Sequence, residues 1–186
     1  MAKLADMDSE AEFIDAIAGC LSAPKPQESA AETLKSCLDA WSGPPPWMGE
    51  PQAGGFDVMH ASEDLTIMHL VWPPRLITEP HTHSMWATIG LYAGRENNML
   101  WRRAGGSIEA SGAKSLAAGE VCSFGPDVIH SVHNPLDALT GAIHIYGGDF
   151  LGAQNSEWDP LTYAERPRDM AEQQRNFAHA GKTRGD

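Results

Sequence analysis

Cysteine is scarce: Cys20, Cys37 and Cys122 are an odd number at wide spacing, with no CxxC pair, in a chain of 186 residues. That argues against both a disulfide framework and a cysteine zinc site, and predicts three buried thiols. Basic residues are also few, 13 Lys and Arg against 25 Asp and Glu, for a formal net charge of -12. Phosphate backbones and anionic membranes are bound through basic patches, so neither nucleic acid nor a membrane is an expected partner. No stretch approaches the roughly 20 apolar residues of a membrane span. The N-terminus, MAKLADMDSEAEF, lacks the charged start and apolar run of a secretory signal. The expectation is a cytoplasmic protein whose mature form is the whole chain. There is no internal repeat and no low-complexity tract.

What is present is an ordinary globular composition, 42% hydrophobic and 20% charged, at a length suited to about one domain. Residues 1–43 read as a helical appendage of two short amphipathic helices. Ser9 with Glu12, and Ser29 with Glu32, fit the S-x-x-E capping box. Behind them Ile14, Ile17, Ala18 and Leu21, then Leu34, Cys37, Leu38 and Trp41, repeat at helical spacing and make one apolar stripe each. Two such helices cannot bury those stripes alone, so they must pack on the remainder of the chain. The break at Gly43-Pro44-Pro45-Pro46 ends them.

From 54 to 150 the helical period gives way to short β-type runs between Gly, Pro and Asp/Asn signals, at 56–60, 65–71, 81–83, 87–92, 98–103, 107–110, 120–124, 129–133 and 141–146. Many short strands without alternating helices predict an all-β sandwich or jelly roll and exclude a parallel βαβ sheet. Residues 151–186 form an irregular C-terminal extension with a helix-like stretch at 170–177 and a frayed end. The whole is read as one domain.

Eight histidines stand out. His81 and His83 fall at i and i+2 on a predicted strand, so both rings face one way, and His130 follows a turn that returns the chain to the sheet. Three neutral imidazoles on one side of a metal leave the other side open. His133 points away from His130 on the same strand, His60 and His69 read as ordinary strand residues, and His179 as a tail residue.

These residues resemble the cupins, and within them the thiol dioxygenases of the cysteine and 3-mercaptopropionate type. The cupin first motif, G-x5-H-x-H-x3-E-x6-G, is matched by His81, His83 and Gly94, with Ala87 where many cupins carry a glutamate ligand; the second is matched loosely by Gly119, His130 and Asn134. Leu70-Val71-Trp72 and the stretch from 142 to 147 are similar to the thiol dioxygenases as well. The resemblance implies a single cupin barrel, the double-stranded β-helix form of the jelly roll, with the two helices packed on it. It also implies an all-histidine metal site of His81, His83 and His130 holding Fe(II), with Zn, Ni and Mn as alternatives. A small organic thiol and O2 would then be the substrates and a sulfinic acid the product. Three imidazoles keep the full +2 charge of the ion for an incoming thiolate. Ala142, His144 and Tyr146 share a strand face and match a Ser-His-Tyr relay, so His144 and Tyr146 are the expected catalytic pair, Tyr146 as hydrogen-bond donor to bound substrate or oxygen, with the serine position vacant at Ala142. Cys122 is on another strand from the position that carries the tyrosine-linked cysteine of animal cysteine dioxygenases, and no such crosslink is expected.

A thiol acid needs a cation for its carboxylate, preferably arginine. The arginine that such enzymes carry ahead of the first motif is missing from 56–64. Arg75, Arg102 and Arg103 are the leading substitutes, from a set that also includes Arg95, Arg166 and Arg168. Two other classes remain open: a metal-dependent cupin of different chemistry, such as a zinc hydrolase, an isomerase or a carbon-cleaving dioxygenase, and a non-catalytic small-molecule-binding cupin. Jelly-roll edges make a homodimer possible.

Overall fold

A computed structural model describes residues 7–41 and 43–180. Helix α1 (Glu10–Cys20) starts as expected: the Ser9 hydroxyl accepts the Glu12 N–H at 3.3 Å, although the Glu12 carboxylate reaches back to the Asp8 N–H at 3.1 Å, one residue before the usual partner. Helix α2 (Pro26–Ala40) does not start at Ser29. Its first residue is Pro26, whose missing N–H costs nothing in a first turn, and the Ser29 N–H already donates to the Lys25 carbonyl at 3.0 Å. The second capping box is therefore not formed. The buried face of α1 is Phe13, Ile17 and Cys20, which shares Ile17 with the expected stripe but is rotated around the helix from it, with Ile14, Ala18 and Leu21 only partly covered. A short helix with a broad apolar side, Phe13, Ile14, Ile17, Ala18 and Cys20, leaves the centre of its buried face to whatever it packs on.

Both helices pack on a barrel of two antiparallel sheets. Its strands are β1 (Gly55–Ala61), β2 (Thr66–Trp72), β3 (His81–Thr82), β4 (Ala87–Ala93), β5 (Arg95–Ala104), β6 (Ser107–Ala117), β7 (Val121–Phe124), β8 (Ile129–His133), β9 (Thr140–Tyr146), β10 (Ser156–Trp158) and β11 (Glu165–Pro167). One sheet runs β1-β2-β9-β4-β7 and the other β11-β10-β3-β8-β5-β6, so strands distant in sequence are neighbours, as in a jelly roll. The architecture is that of a single cupin-type double-stranded β-helix with two N-terminal helices. The expected strands are present with two differences. Strand β6 runs on to Ala117, because a Gly105-Gly106 turn, with φ of 55° and 84° suited to a type I′ hairpin, zips it along all of β5. Strands β10 and β11 come from the extension that carries no strand signal in the sequence. Helix α3 (Met170–Ala180) covers the predicted helix-like stretch, and the expected fraying falls on 181–186, outside the described residues.

The inner strands of the five-stranded sheet, β2, β9 and β4, are buried on both faces. Inward lie Met68, Leu70, Trp72, Ile89 and Leu91; outward, Ile67, Ile143 and Ile145 meet Phe13, Ile17, Leu34 and Leu38 of the helices. That is why β2 and β9 read as continuous apolar runs. Gly90 lets α2 approach: a β-carbon there would lie 2.6 Å from Leu34 Cδ2. Each fully buried Phe13, Ile17 or Leu34 contributes about 1.5–3 kcal/mol. The three cysteines are free and buried, and no helix among the described residues is long and apolar enough to cross a membrane.

Candidate metal centre

Strand β3 pairs with β8 so that His81 stands opposite His130. His83 follows one residue past the end of β3, and Ser84 beyond it takes a left-handed turn with φ of 59°. The three imidazoles converge: one nitrogen from each lies within 4.8 Å of the others, and Nε2 of His83 is 2.9 Å from Nε2 of His130. At the usual metal–imidazole length, two nitrogens on one ion are about 3.0–3.4 Å apart, so a small adjustment seats them. Their far nitrogens explain why the inner ones are available. Nδ1 of His81 meets the Glu79 carbonyl at 2.9 Å and Nδ1 of His130 meets Asn98 Oδ1 at 2.6 Å, so both carry hydrogen on Nδ1 and a lone pair on Nε2. Nδ1 of His83 is buried without a hydrogen-bond partner.

Burial pushes all three rings toward the neutral, ligand-competent form. His81 and His83 titrate well below the ordinary histidine range, through loss of water first and then, for His81, through Arg168, His130 and His83, and for His83 through His130, Arg168 and His144. His130 is pushed down to about 3 by burial, which the nearby Glu96 carboxylate opposes. The donor set is three neutral nitrogens with Ala87 where a carboxylate could have stood, and it can hold a divalent ion.

His144 and Tyr146 lie beside this cluster, joined by a 3.0 Å hydrogen bond between the tyrosine hydroxyl and Nδ1. Tyr146 stacks on Phe150 at 4.0 Å and touches the edge of His83, with ring centroids 5.1 Å apart. Burial raises its pKa, so the hydroxyl keeps its proton. Ala142 offers His144 nothing, but on the side away from Tyr146 the Glu96 carboxylate lies 3.6 Å from His144 Nε2.

The expected arginines sit elsewhere. Arg75 is exposed and pairs with Asp137 at 2.8 Å, Arg102 bonds Glu109 at 2.7 Å, and Arg103 forks onto Glu165 at 2.8 Å while lying over Trp158. None of the three lines the histidine cavity. Arg95 contacts Ser115, and Arg166 is engaged with Glu79, Glu157 and Glu172. The cation that enters the site is Arg168, on the segment between β11 and α3. One guanidinium nitrogen donates to Gln173 at 2.6 Å, the group lies 5.3 Å from the Phe150 ring centroid, and Nη1 is buried without a partner. Burial lowers its pKa to about 10, so it stays charged. Strand β10 brings it in, pairing Glu157 with His81.

The space directly among the histidines is only about 10 Å³, room for about one water. A cleft of about 370 Å³ adjoins it, and His81, Arg168 and Gln173 line both. Helix α3 roofs the site through Phe177, packed on Trp72 and Phe56 at centroid distances of 5.1 and 5.7 Å. His133 bridges Ile77 outside the cluster, and His69 bonds the Tyr92 hydroxyl at 2.8 Å. The side chain of His179 lies outside the described residues.

Fold and site together define a class: a jelly-roll barrel with a buried three-histidine pocket that can hold a metal. No family model matches the chain. Solved structures similar to it include cupins and other double-stranded β-helix proteins. A double-stranded β-helix protein from Klebsiella pneumoniae is 13% identical with a TM-score of 0.45, over 59% of this chain and 83% of that one. An RmlC-like cupin from Methanocaldococcus jannaschii is 14% identical with a TM-score of 0.45, over 57% and 94%. A cupin domain from Bordetella pertussis is 23% identical with a TM-score of 0.40, over 53% and 96%.

Proposed function

We propose that this protein is a non-haem iron dioxygenase that oxidises a small, carboxylate-bearing organic thiol to its sulfinic acid. The observation that carries the reading is the pairing of an all-imidazole triad with a buried guanidinium whose Nη1 has no protein partner. A charged donor sealed from water and left unpaired costs stability unless a ligand satisfies it, and a carboxylate is the ligand that fits its fork. Iron held by His81, His83 and His130 would supply a place where thiolate and dioxygen meet. The rest is the work of the chain. Arg168 takes the carboxylate and points the other end of the substrate at the triad. The cleft gives the chain of the substrate its path, and Tyr146, with His144 behind it, hydrogen-bonds a bound ligand. Met68, Leu70, Trp72 and Phe150 keep bulk water out. In the balanced reaction both atoms of O2 end on sulfur, which gives up four electrons as the dioxygen accepts four. The substrate is a free small molecule and not a nucleic acid or a membrane, and a homodimer paired through a jelly-roll edge belongs to the same proposal.

The test is oxygen uptake by iron-loaded protein with 3-mercaptopropionate, cysteine and cysteamine, with sulfinate measured in parallel. One sulfinate per O2 from a carboxylated thiol, with cysteamine slower, is expected. No thiol-dependent uptake at full metal loading overturns the reading in favour of another metal-dependent chemistry.

A further inference from the structure

Glu96 and Asn98 stand at i and i+2 on β5, both wholly buried and facing the barrel interior. A carboxylate in such a place needs donors, and it has them. Trp72 Nε1 donates to Oε2 at 2.8 Å and Asn98 Nδ2 donates to Oε1 at 2.9 Å, while His144 Nε2 stands 3.6 Å from Oε2. Burial alone would raise its pKa, but His144, and after it Asn98 and His130, outweigh it and the group titrates below its ordinary value. A carboxylate only accepts hydrogen bonds, so the side of Asn98 that faces it must be the NH2. The carbonyl of Asn98 must then face the other way, toward His130 Nδ1, 2.6 Å off. An oxygen there requires hydrogen on Nδ1, which leaves the Nε2 lone pair directed at His83. One buried charge thus decides, two bonds away, which nitrogen of His130 is free.

We propose that Glu96 is a positioning residue of the metal centre, which by holding Asn98 in one orientation keeps His130 in the tautomer that can bind an ion. The inference deepens the metal-site reading above and rests on it for metal affinity, though not for the tautomer. Trp72 sharpens it. Its indole can only donate, so in Glu96→Gln the new carbonyl must take the Trp72 side and the new NH2 must face Asn98. Asn98 is then forced to turn over, presenting NH2 to His130 and driving the hydrogen to Nε2. In the double variant Glu96→Gln with Asn98→Asp the order of polar groups is reversed: the introduced amide donates to the introduced carboxylate, which accepts again from His130.

The experiment is two-bond 1H–15N NMR of the imidazole rings in the full-length, metal-free protein, with Co(II) titration of the same samples. Hydrogen on His130 Nδ1 is expected in the wild type and in the double variant, and on Nε2 in Glu96→Gln. Co(II) affinity should fall about 10–100-fold in Glu96→Gln, the usual cost of losing such an orienting contact, and recover in the double variant. A wild type with His130 Nδ1–H that takes up no metal would count against the metal centre while upholding the Glu96 arrangement. A folded Glu96→Gln with unchanged tautomer and affinity overturns the inference, as does a double variant that stays as defective as the single one.

Discussion

The two sheets of the barrel are built alike and used differently. The five-stranded sheet is covered on both faces, by the barrel core and by α1 and α2, and its buried residues are chiefly apolar. The six-stranded sheet supplies His81 and His130, along with Glu96 and Asn98. Its last two strands, β10 and the edge strand β11, lead the chain back to place Arg168. Stability is concentrated in one wall and chemistry in the other. His144 and Tyr146 are the exceptions, two polar side chains that the apolar wall turns toward the site.

That division can be broken from either side. His83→Ala should abolish stoichiometric metal while leaving thermal stability near the wild-type value, since it removes a buried polar ring with an unpaired nitrogen; His133→Ala should bind metal normally. Metal content after dialysis and a melting curve check both, and a His83→Ala protein with full metal would sink the triad. Leu34→Ala should do the reverse, costing about 2–5 kcal/mol by denaturant unfolding with metal content unchanged. Its side chain is wholly buried between α2 and the sheet. Tyr146→Phe removes one hydroxyl and should lower thiol turnover about 10–100-fold at full iron loading; wild-type turnover would leave the tyrosine as packing. Arg168→Met should act mainly on KM for carboxylated thiols, by roughly 10–100-fold as for one charged hydrogen-bonded contact, and hardly at all on cysteamine. The smallest effect concerns the edge. Glu165 is held down to about 2 by its bonds with Arg103. A depressed carboxyl stabilises the fold above its unfolded pKa, near 4.5, and that contribution is lost as the pH falls from there toward 2. The pair is largely exposed, so Glu165→Gln should cost less than about 1 kcal/mol, seen as a slightly flatter melting-temperature profile in that window.

Strand placement and the triad were legible because each depends on local spacing: the i and i+2 spacing of His81 and His83 put both rings on one side even though β3 ends at Thr82 and His83 falls just beyond it. The arginine was not, because long side chains close together in sequence reach different surroundings. Arg166 and Arg168 differ by two positions, yet one lies among three carboxylates on the surface and the other enters the core. Glu96 left a fainter trace. A charged residue two places after Gly94, with an amide two places further on, marks two polar groups on one strand face, but the pattern acquires meaning only when β8 brings His130 alongside. The start of α2 and the buried face of α1 were missed for a similar reason, since proline chemistry and packing partners override a capping motif or a stripe.

The pairing of β10 with β3 also sets an order of assembly. During synthesis every strand through β9, and all three clustered histidines, can emerge from the ribosome before the segment from residue 156 onward. Until β10 docks and α3 roofs the cleft, the histidine cluster lies open to water without its guanidinium. A nascent chain exposed only as far as Tyr146 would present the three clustered histidines without Arg168 beside them.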